Sequence, residues 1–196
     1  MAIKYRTKET ALEGVKKDCR ELQYASDSIR GDKEFILTAI EEGDSYDSAI
    51  RFASDTIKND KEVVLKAARK NEGALSCASD RLRDDKEVVL EALQSATSPI
   101  LEFASERLKD NKEVVLRAVE LHGYNLKYAS DKLRNDKNVV LTAVQGSGYS
   151  LKFASDILKQ DKEVVIAAVK QNSKSLQFAS EALQADKDVA SLVNVA

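Results

Sequence analysis

The side chains that most enzymes use for nucleophilic or metal-assisted chemistry are scarce in this chain. His122 is the single histidine, and Cys19 and Cys77 are the two cysteines. One histidine cannot build a multi-histidine metal site, and the chain has no phosphate-binding glycine loop, zinc-ligand spacing or nucleophile elbow. Carboxylates are plentiful, so an enzyme with a Glu/Asp site is an alternative, but no pair stands apart as a general acid and base. We therefore expect no enzyme activity, no catalytic residue, no metal and no cofactor.

The chemistry that the sequence does favour is recognition by cationic and aromatic side chains. Arg81, Arg107 and Lys132 occupy the same register in successive copies of a repeat, and Tyr124 and Tyr149 occupy equivalent turns. Such side chains are typical anchors of binding surfaces. A solvated face with turn tyrosines explains the same residues without a partner. The candidate partner-binding residues are Arg81, Arg107, Lys132, Lys127, Lys152, Tyr124, Tyr149 and His122.

A second series of charged residues consists of an acid and a basic residue three positions later. The members are Asp27–Arg30, Asp55–Lys58, Asp80–Arg83, Glu106–Lys109, Asp131–Arg134 and Asp156–Lys159, and Glu181–Gln184 breaks the series. A carboxylate ladder for a metal or a basic partner is one interpretation. Ion pairing along a helix surface, which contributes only a few tenths of a kcal/mol per pair, is the simpler one, and we expect it.

A third series places a lysine at the first position of a predicted helix. The members are Lys33, Lys61, Lys86, Lys112, Lys137, Lys162 and Lys187. The helix dipole disfavours a cation there, so some group must offset it. We expect a salt bridge to the acid of the same or an adjacent first helix, with the lysine stem packed along apolar surface. A row that binds phosphates or acids is the alternative.

The elements that position these residues belong to one sequence motif that is repeated along the chain. The motif aromatic-Ala-Ser recurs, with Cys77 once replacing the ring, and its serines are spaced by 28, 25, 26, 25, 25 and 25 residues. An Asp-Lys pair follows six residues after each serine, with Asn111-Lys112 replacing it once. A period of this length indicates a helical repeat protein.

Within one repeat, residues Ser150 to Lys159 are predicted to form a first helix, and Asp161 is a good N-cap for a second. The apolar side chains of the second helix spread over roughly 200° of its circumference, which requires burial on more than one side. Burying the apolar side chains of one repeat yields roughly 9–18 kcal/mol, while ordering its backbone costs on the order of 25–50 kcal/mol. Stability must therefore come from stacking of the repeats.

The composition limits the function classes. The 31 basic and 33 acidic residues nearly cancel, which argues against a nucleic-acid binder with a basic face over its whole surface. No apolar run is long enough to cross a membrane. Two cysteines do not suggest a disulfide framework, so the reducing cytoplasm is the expected location, and delivery into a host cell is an alternative.

The signature (F/Y)AS(D/E)xL(K/R)xDKEVVLxAV resembles a bacterial helical-repeat family known as a domain of unknown function, number forty-one sixteen. The resemblance covers nearly everything from Thr10 onward. Similar repeats occur in bacterial effector-like proteins, often beside other domains. No catalytic residue is established for the family, so the resemblance assigns none to this chain.

The predicted fold is an all-α, right-handed solenoid, or superhelix, of seven helical hairpins of about 25 residues plus an N-terminal half-repeat. We expect one domain over 1–196, made of an N-terminal cap at 1–19, a repeat array at 20–183 and a C-terminal capping helix at 184–196.

The predicted function is a non-catalytic protein-binding scaffold, adaptor or inhibitor. An effector-type protein is one form that this function could take. The alternative is a nucleic-acid-binding repeat protein that uses the central Arg/Lys row. The expected partner is a protein, nucleic acid is less favoured, and no membrane is involved. The chain is expected to be a monomer, or a weak dimer through its C-terminal helix.

Overall fold

A computed structural model describes residues 3–43 and 49–192. The chain divides into two compact units, which are Met1–Phe103 (unit 1) and Ala104–Ala196 (unit 2). Within the described residues the secondary structure is helical, apart from an isolated parallel bridge between Tyr5 and Ala25. The family signature and this helical content confirm the all-α repeat solenoid.

Each complete repeat consists of three helical pieces, where the sequence predicted two. A first piece, mostly 3₁₀, is followed by a short helix of about one turn and then by a long α-helix. In unit 1 the first pieces are Cys19–Tyr24, Ala49–Phe52, Ala74–Cys77 and Leu101–Phe103; in unit 2 they are Gly123–Tyr128, Gly148–Phe153 and Ser173–Phe178. The short helices are Asp27–Arg30, Asp55–Lys58, Asp80–Arg83, Glu106–Lys109, Asp131–Arg134, Leu158–Gln160 and Glu181–Gln184.

The long helices are labelled α1 to α8. Unit 1 contains α1 (Lys8–Lys17), α2 (Lys33–Glu42), α3 (Lys61–Lys70) and α4 (Lys86–Ser95); unit 2 contains α5 (Lys112–Leu121), α6 (Lys137–Gly146), α7 (Lys162–Gln171) and α8 (Lys187–Ser191). Because residues 3–7, described ahead of α1, contain no helical first arm, α1 corresponds to the predicted half-repeat. Each long helix packs against the next one within its unit.

The core of unit 2 is built from the same four positions of successive long helices. In α7 these are Val164, Val165, Ala168 and Val169, all at most 2% exposed. The matching valines and alanines of α5 and α6 are fully buried. Since the four positions span two adjacent stripes of the helix, each long helix is covered on two sides, as expected for stacked repeats.

The aromatic-Ala-Ser motif is a break in the helix, not its middle. Ala154 has extended backbone angles (φ −63°, ψ 158°) between the 3₁₀ helix and the short helix. Ser155 Oγ accepts the hydrogen bond from Leu158 N at 3.2 Å. The equivalent Ser130 accepts from Leu133 N at 3.3 Å and is the N-cap of the short helix Asp131–Arg134. The single first helix predicted over Ser150–Lys159 is therefore wrong, because serine competes for backbone hydrogen bonds inside a helix and favours its start.

The described residues ahead of α1 are held against the first repeat through Lys4 and Tyr5. Lys4 N donates to Tyr24 O at 2.9 Å, and Ser26 N donates to Tyr5 O at 3.1 Å. The Tyr5 ring packs on Gly14, where a Cβ atom would lie only 2.6 Å from the tyrosine oxygen. Tyr5 therefore covers the face of α1 on which Gly14 lies.

The prediction of one continuous array over 20–183 stays a prediction, because the structure gives two units. The predicted C-terminal capping helix begins in the described chain as α8, and residues 193–196 of that prediction lie outside the described residues. Among the described residues, no helix combines the length and the apolar composition that crossing a membrane requires.

Candidate functional site

In six of the long helices (α1, α2, α3, α5, α6 and α7), the lysine that opens the helix is bound to the next repeat of the same unit. Lys137 Nζ lies 2.7 Å from Asp161 Oδ2 and 2.8 Å from Glu163 Oε2. These acids are the N-cap and the second residue of the neighbouring long helix, so the predicted acceptor on a first helix is wrong. Equivalent pairs are Lys8–Asp32, Lys33–Asp60, Lys61–Asp85, Lys112–Asp136 and Lys162–Asp186. We name this series the lysine ladder.

Each aspartate of the lysine ladder uses its two oxygens for different tasks. Asp161 Oδ1 accepts from Glu163 N at 3.0 Å and from Val164 N at 3.2 Å, which caps α7. Asp161 Oδ2 accepts from Lys137. The hydrogen bond from Lys137 lowers the pKa of Asp161 against the raising effect of partial burial. Capping and stacking therefore depend on one carboxylate.

The serine of the aromatic-Ala-Ser motif links the start of one short helix to the end of the short helix in the preceding repeat. Ser155 N donates to Arg134 O at 2.9 Å, and Ser155 Oγ donates to Asn135 Oδ1 at 2.6 Å. Backbone bonds of the same kind run from Ser54 to Arg30, from Ser79 to Lys58, from Ser130 to Lys109 and from Ser180 to Lys159. The repeated polar residues are thus engaged in holding the array together.

The acids that follow these serines form the predicted pairs along the helix surface. The ion pairs present are Asp27–Arg30, Asp80–Arg83, Glu106–Lys109, Asp131–Arg134 and Asp156–Lys159. Their carboxylates are about nine-tenths exposed, so each pair contributes at most a few tenths of a kcal/mol. Within residues 3–43 and 49–192, no group of three or more His, Cys, Asp or Glu side chains is placed to hold a metal ion.

A different pattern of charge occurs on the 3₁₀ helices of unit 2. In a 3₁₀ helix, residues three apart eclipse one another, so the second and fifth residues of each helix share a face. The first and third residues are packed inward, as Gly123 and Asn125 show, while the second and fifth project outward. We name the outward set the 3₁₀ ridge. It consists of Tyr124, Lys127, Tyr149, Lys152, Lys174 and Gln177.

Aromatic contacts fix the 3₁₀ ridge between repeats. The Tyr124 ring meets Phe153 of the next repeat edge to face, with centroids 5.5 Å apart. Tyr149 meets Phe178 in the same way at 5.7 Å. Tyr124 nevertheless keeps 42% of its surface exposed. Such edge-to-face pairs contribute about 0.5–1.5 kcal/mol beyond burial, so the ridge presents ordered aromatic side chains.

The lysines of the 3₁₀ ridge, unlike those of the lysine ladder, have no acidic partner in the described chain. Lys127 Nζ lies 4.8 Å from the centroid of the Tyr128 ring and 3.4 Å from its hydroxyl. Lys152 and Lys174 are exposed. None of the three 3₁₀ helices contains an Asp or Glu, so the ridge carries a formal charge of +3 from Lys127, Lys152 and Lys174.

A groove of about 340 Å³ lies between two repeats beside Lys152 and Phe153. The acids on its rim, Asp131 and Asp156, are the exposed partners of Arg134 and Lys159. Because those pairs neutralise each other, Lys152 supplies the unbalanced charge. The groove therefore combines one available cation with an aromatic wall.

The structure brings together Tyr124, Lys127, Tyr149 and Lys152 of the predicted set, and places Arg81, Arg107 and Lys132 elsewhere, on short helices. Arg81 Nε donates to Asn59 Oδ1 at 2.9 Å. Lys132 Nζ lies 3.8 Å from Asp110 Oδ2. These two basic residues thus contact the preceding repeat, which weakens the case for a nucleic-acid-binding row.

His122, also in the predicted set, is the C-cap of α5, and its backbone N–H donates to Ala118 O at 2.9 Å. It is only partly exposed and does not belong to the 3₁₀ ridge. Lys174 and Gln177 were missed by the sequence analysis. The signal that identifies them is the absence of acids from residues 123–128, 148–153 and 173–178.

A model of the family described as Domain of unknown function (DUF4116) matches residues 7–58, 44–83, 60–109, 85–134, 111–159 and 136–184. Together these matches extend over most of the chain, and their offsets follow the repeat. No curated protein and no solved structure matches the chain.

Proposed function

The chain belongs to the helical-repeat family described as Domain of unknown function (DUF4116), and we propose that it is a non-catalytic protein-binding scaffold that acts through the 3₁₀ ridge of unit 2. Adaptor and inhibitor roles both use such a scaffold. An effector-type role, with delivery into a host cell, is part of the same proposal.

One observation carries this proposal. The charged residues that recur in the lysine ladder and on the short helices are occupied by contacts within or between repeats. The 3₁₀ ridge differs, because its lysines have no acidic partner among the described residues, Tyr124 is ordered yet 42% exposed, and Tyr149 is ordered and half-buried. Aromatic and cationic side chains on a rigid surface are the usual anchors of protein interfaces.

Nucleic-acid binding through the Arg/Lys row is less well supported. The Arg81 guanidinium donates both to Asn59 Oδ1 and to Asn59 O, the latter at 2.6 Å. A phosphate would have to replace those bonds. If nucleic acid were the partner, binding would weaken steeply as salt is raised.

The proposal is tested by affinity capture from a native or host lysate, with nuclease-treated samples in parallel. The bait is the full chain, either unchanged or with Lys127→Gln, Tyr149→Ser and Lys152→Gln together. We expect the unchanged bait to retain a protein with or without nuclease, and the ridge variant to lose it. The captured species is identified by mass spectrometry.

The matched control is a bait with Lys170→Gln and Lys187→Gln. Both lysines are exposed residues of unit 2 that lie on long helices. This control should capture as the unchanged chain does. Capture that survives in the ridge variant would contradict the proposal, and capture that disappears with nuclease would favour the nucleic-acid function. Circular dichroism melting verifies that both variants fold.

A further inference from the structure

We propose that the 3₁₀ ridge recognises an extended acidic segment of its protein partner, with a carboxylate at about every third residue. This inference rests on the proposed protein-binding function and specifies the chemistry of the partner.

The charge of the ridge selects an acidic ligand. Lys127, Lys152 and Lys174 give one cation per repeat, and the helices that carry them contain no acid. The lysine ladder shows how ammonium groups in this fold behave when acids are near, since Lys137 and Lys162 each bind two carboxylates. The ridge lysines lack such partners among the described residues. An incoming carboxylate can take that place.

The repeat geometry selects an extended chain. Packed helices lie about 8–10 Å apart, so the three 3₁₀ helices of the ridge span roughly 20 Å. A polyproline II segment rises about 3.1 Å per residue with three residues per turn, which puts every third side chain on one face at intervals of about 9 Å. Those intervals match the spacing of Lys127 and Lys152, the fifth residues of their helices, and Lys174, a second residue, lies one 3₁₀ turn from that register on the next helix.

The groove beside Lys152 can accommodate a ligand side chain that lies between two acidic residues of the ligand. Its volume of about 340 Å³ and its Phe153 wall suit an apolar side chain of the ligand. The i,i+3 pairs of Asp131 and Asp156 neutralise the acids at its rim. A carboxylate can therefore reach Lys152 without meeting an unpaired acid.

The aromatic rings of the ridge favour peptide over single-stranded nucleic acid. Nonspecific binding of single strands depends on open aromatic faces on which bases stack. Here Lys127 lies over the Tyr128 ring, and Phe153 and Phe178 are in edge-to-face contact with Tyr124 and Tyr149. Bases would have to displace these contacts, whereas carboxylates need only the lysines.

The test is fluorescence anisotropy of the full chain with three labelled peptides of about ten residues. The first peptide has glutamates three apart with leucine and glycine between them, the second has the same composition with its glutamates clustered, and the third has glutamine for glutamate. We expect tightest binding of the first peptide and no binding of the third. Each exposed ion pair that is removed should weaken binding about two- to fivefold, so Lys127→Gln, Lys152→Gln and Lys174→Gln together should weaken it about tenfold or more.

The Lys170→Gln, Lys187→Gln chain is the control, and its affinity should not change. Equal binding of the spaced and clustered peptides would overturn the extended geometry. Equal binding of the glutamine peptide, or preferred binding of an oligothymidylate, would overturn the acidic-peptide assignment. If the peptides fail to bind while lysate capture still depends on the ridge, the scaffold function stands and this inference is wrong. If capture itself does not depend on the ridge, the proposed function fails first.

Discussion

Unit 1 and unit 2 are built by the same rules but differ in their first helical pieces. The lysine ladder runs through both, as Lys61–Asp85 and Lys137–Asp161 illustrate. In unit 1 the first pieces carry Arg20, Glu21, Arg51 and Glu102, whose charges cancel, while those of unit 2 carry three lysines and no acid. Cys77 replaces the aromatic residue in one copy of unit 1.

This difference separates scaffold from surface. Residues that join one repeat to the next are alike in both units, because every repeat must bury the same faces. The exposed second and fifth residues of the first pieces bear no such constraint, and only in unit 2 do they form a basic, aromatic set.

Acid should produce the largest loss of stability, and it should affect both units. Hydrogen bonds from Lys8, Lys137 and Lys162 lower the pKa values of Asp32, Asp161 and Asp186. A carboxyl whose folded pKa is depressed contributes stability above its unfolded pKa of about 3.9 and loses it as the pH falls through the folded value. Thermal melts and amide hydrogen exchange between about pH 6 and about pH 3 measure this loss. Loss of protection in one unit alone would show that the ladder is not a shared element.

The second-largest loss of stability is expected when a turn glycine is replaced, and this loss should differ between the units. A Cβ atom on Gly148 would collide with the Ala168 carbonyl and lie 2.7 Å from Ser175 Oγ, while one on Gly73 would meet only Asn71 Oδ1, at 2.9 Å. We expect Gly148→Ala to lower the free energy of unfolding by about 1–3 kcal/mol and Gly73→Ala to change it by less than about 1 kcal/mol. Urea denaturation of the full chain measures both. Equal losses would mean that the turns of unit 2 are no more tightly packed than those of unit 1.

Removing one ladder aspartate should have a similar effect in either unit. Asp161→Ala and Asp85→Ala each remove a helix cap and an ion pair, at an expected loss of about 1–2 kcal/mol. Asp161→Asn keeps the cap, as Asn111 does in capping α5, and should lose about 0.5 kcal/mol. Denaturant midpoints of the three variants give the comparison. An asparagine variant as unstable as the alanine variant would assign the effect to the ion pair and not to the cap.

The smallest effect concerns a buried hydroxyl that unit 1 does not contain. Ser150 is fully buried and its Oγ has no hydrogen-bond partner, whereas Ala74 fills the equivalent position of unit 1. Because an unsatisfied buried hydroxyl is unfavourable, Ser150→Ala should leave stability unchanged or raise it by up to about 1 kcal/mol. Differential scanning calorimetry is suitable for this small shift. A clear loss of stability would show that the hydroxyl binds an ordered water.

The local features of this protein were determined by the sequence. The repeat period, the N-cap aspartates, the i,i+3 ion pairs and the buried valines and alanines of the long helices follow from rules that act within one repeat. A turn glycine such as Gly148 is also a local feature. Its close approach to Ala168 is not, because Ala168 belongs to the next repeat. For the caps and the i,i+3 ion pairs the nearest neighbours along the chain are also the interaction partners, and for the valines and alanines the periodicity alone indicates burial.

Contacts between repeats were decided only by the tertiary structure. The Ser155 N–H donates to Arg134 O of the preceding repeat instead of continuing a helix. This contact between repeats divides the first arm into two helical pieces. The acceptor of Lys137 lies 24 residues away on the next long helix. The 3₁₀ ridge follows from the divided arm, because residues three apart eclipse one another in a 3₁₀ helix, which puts Tyr149 in line with Lys152. These features require coordinates because their partners are neighbours in space and not in sequence.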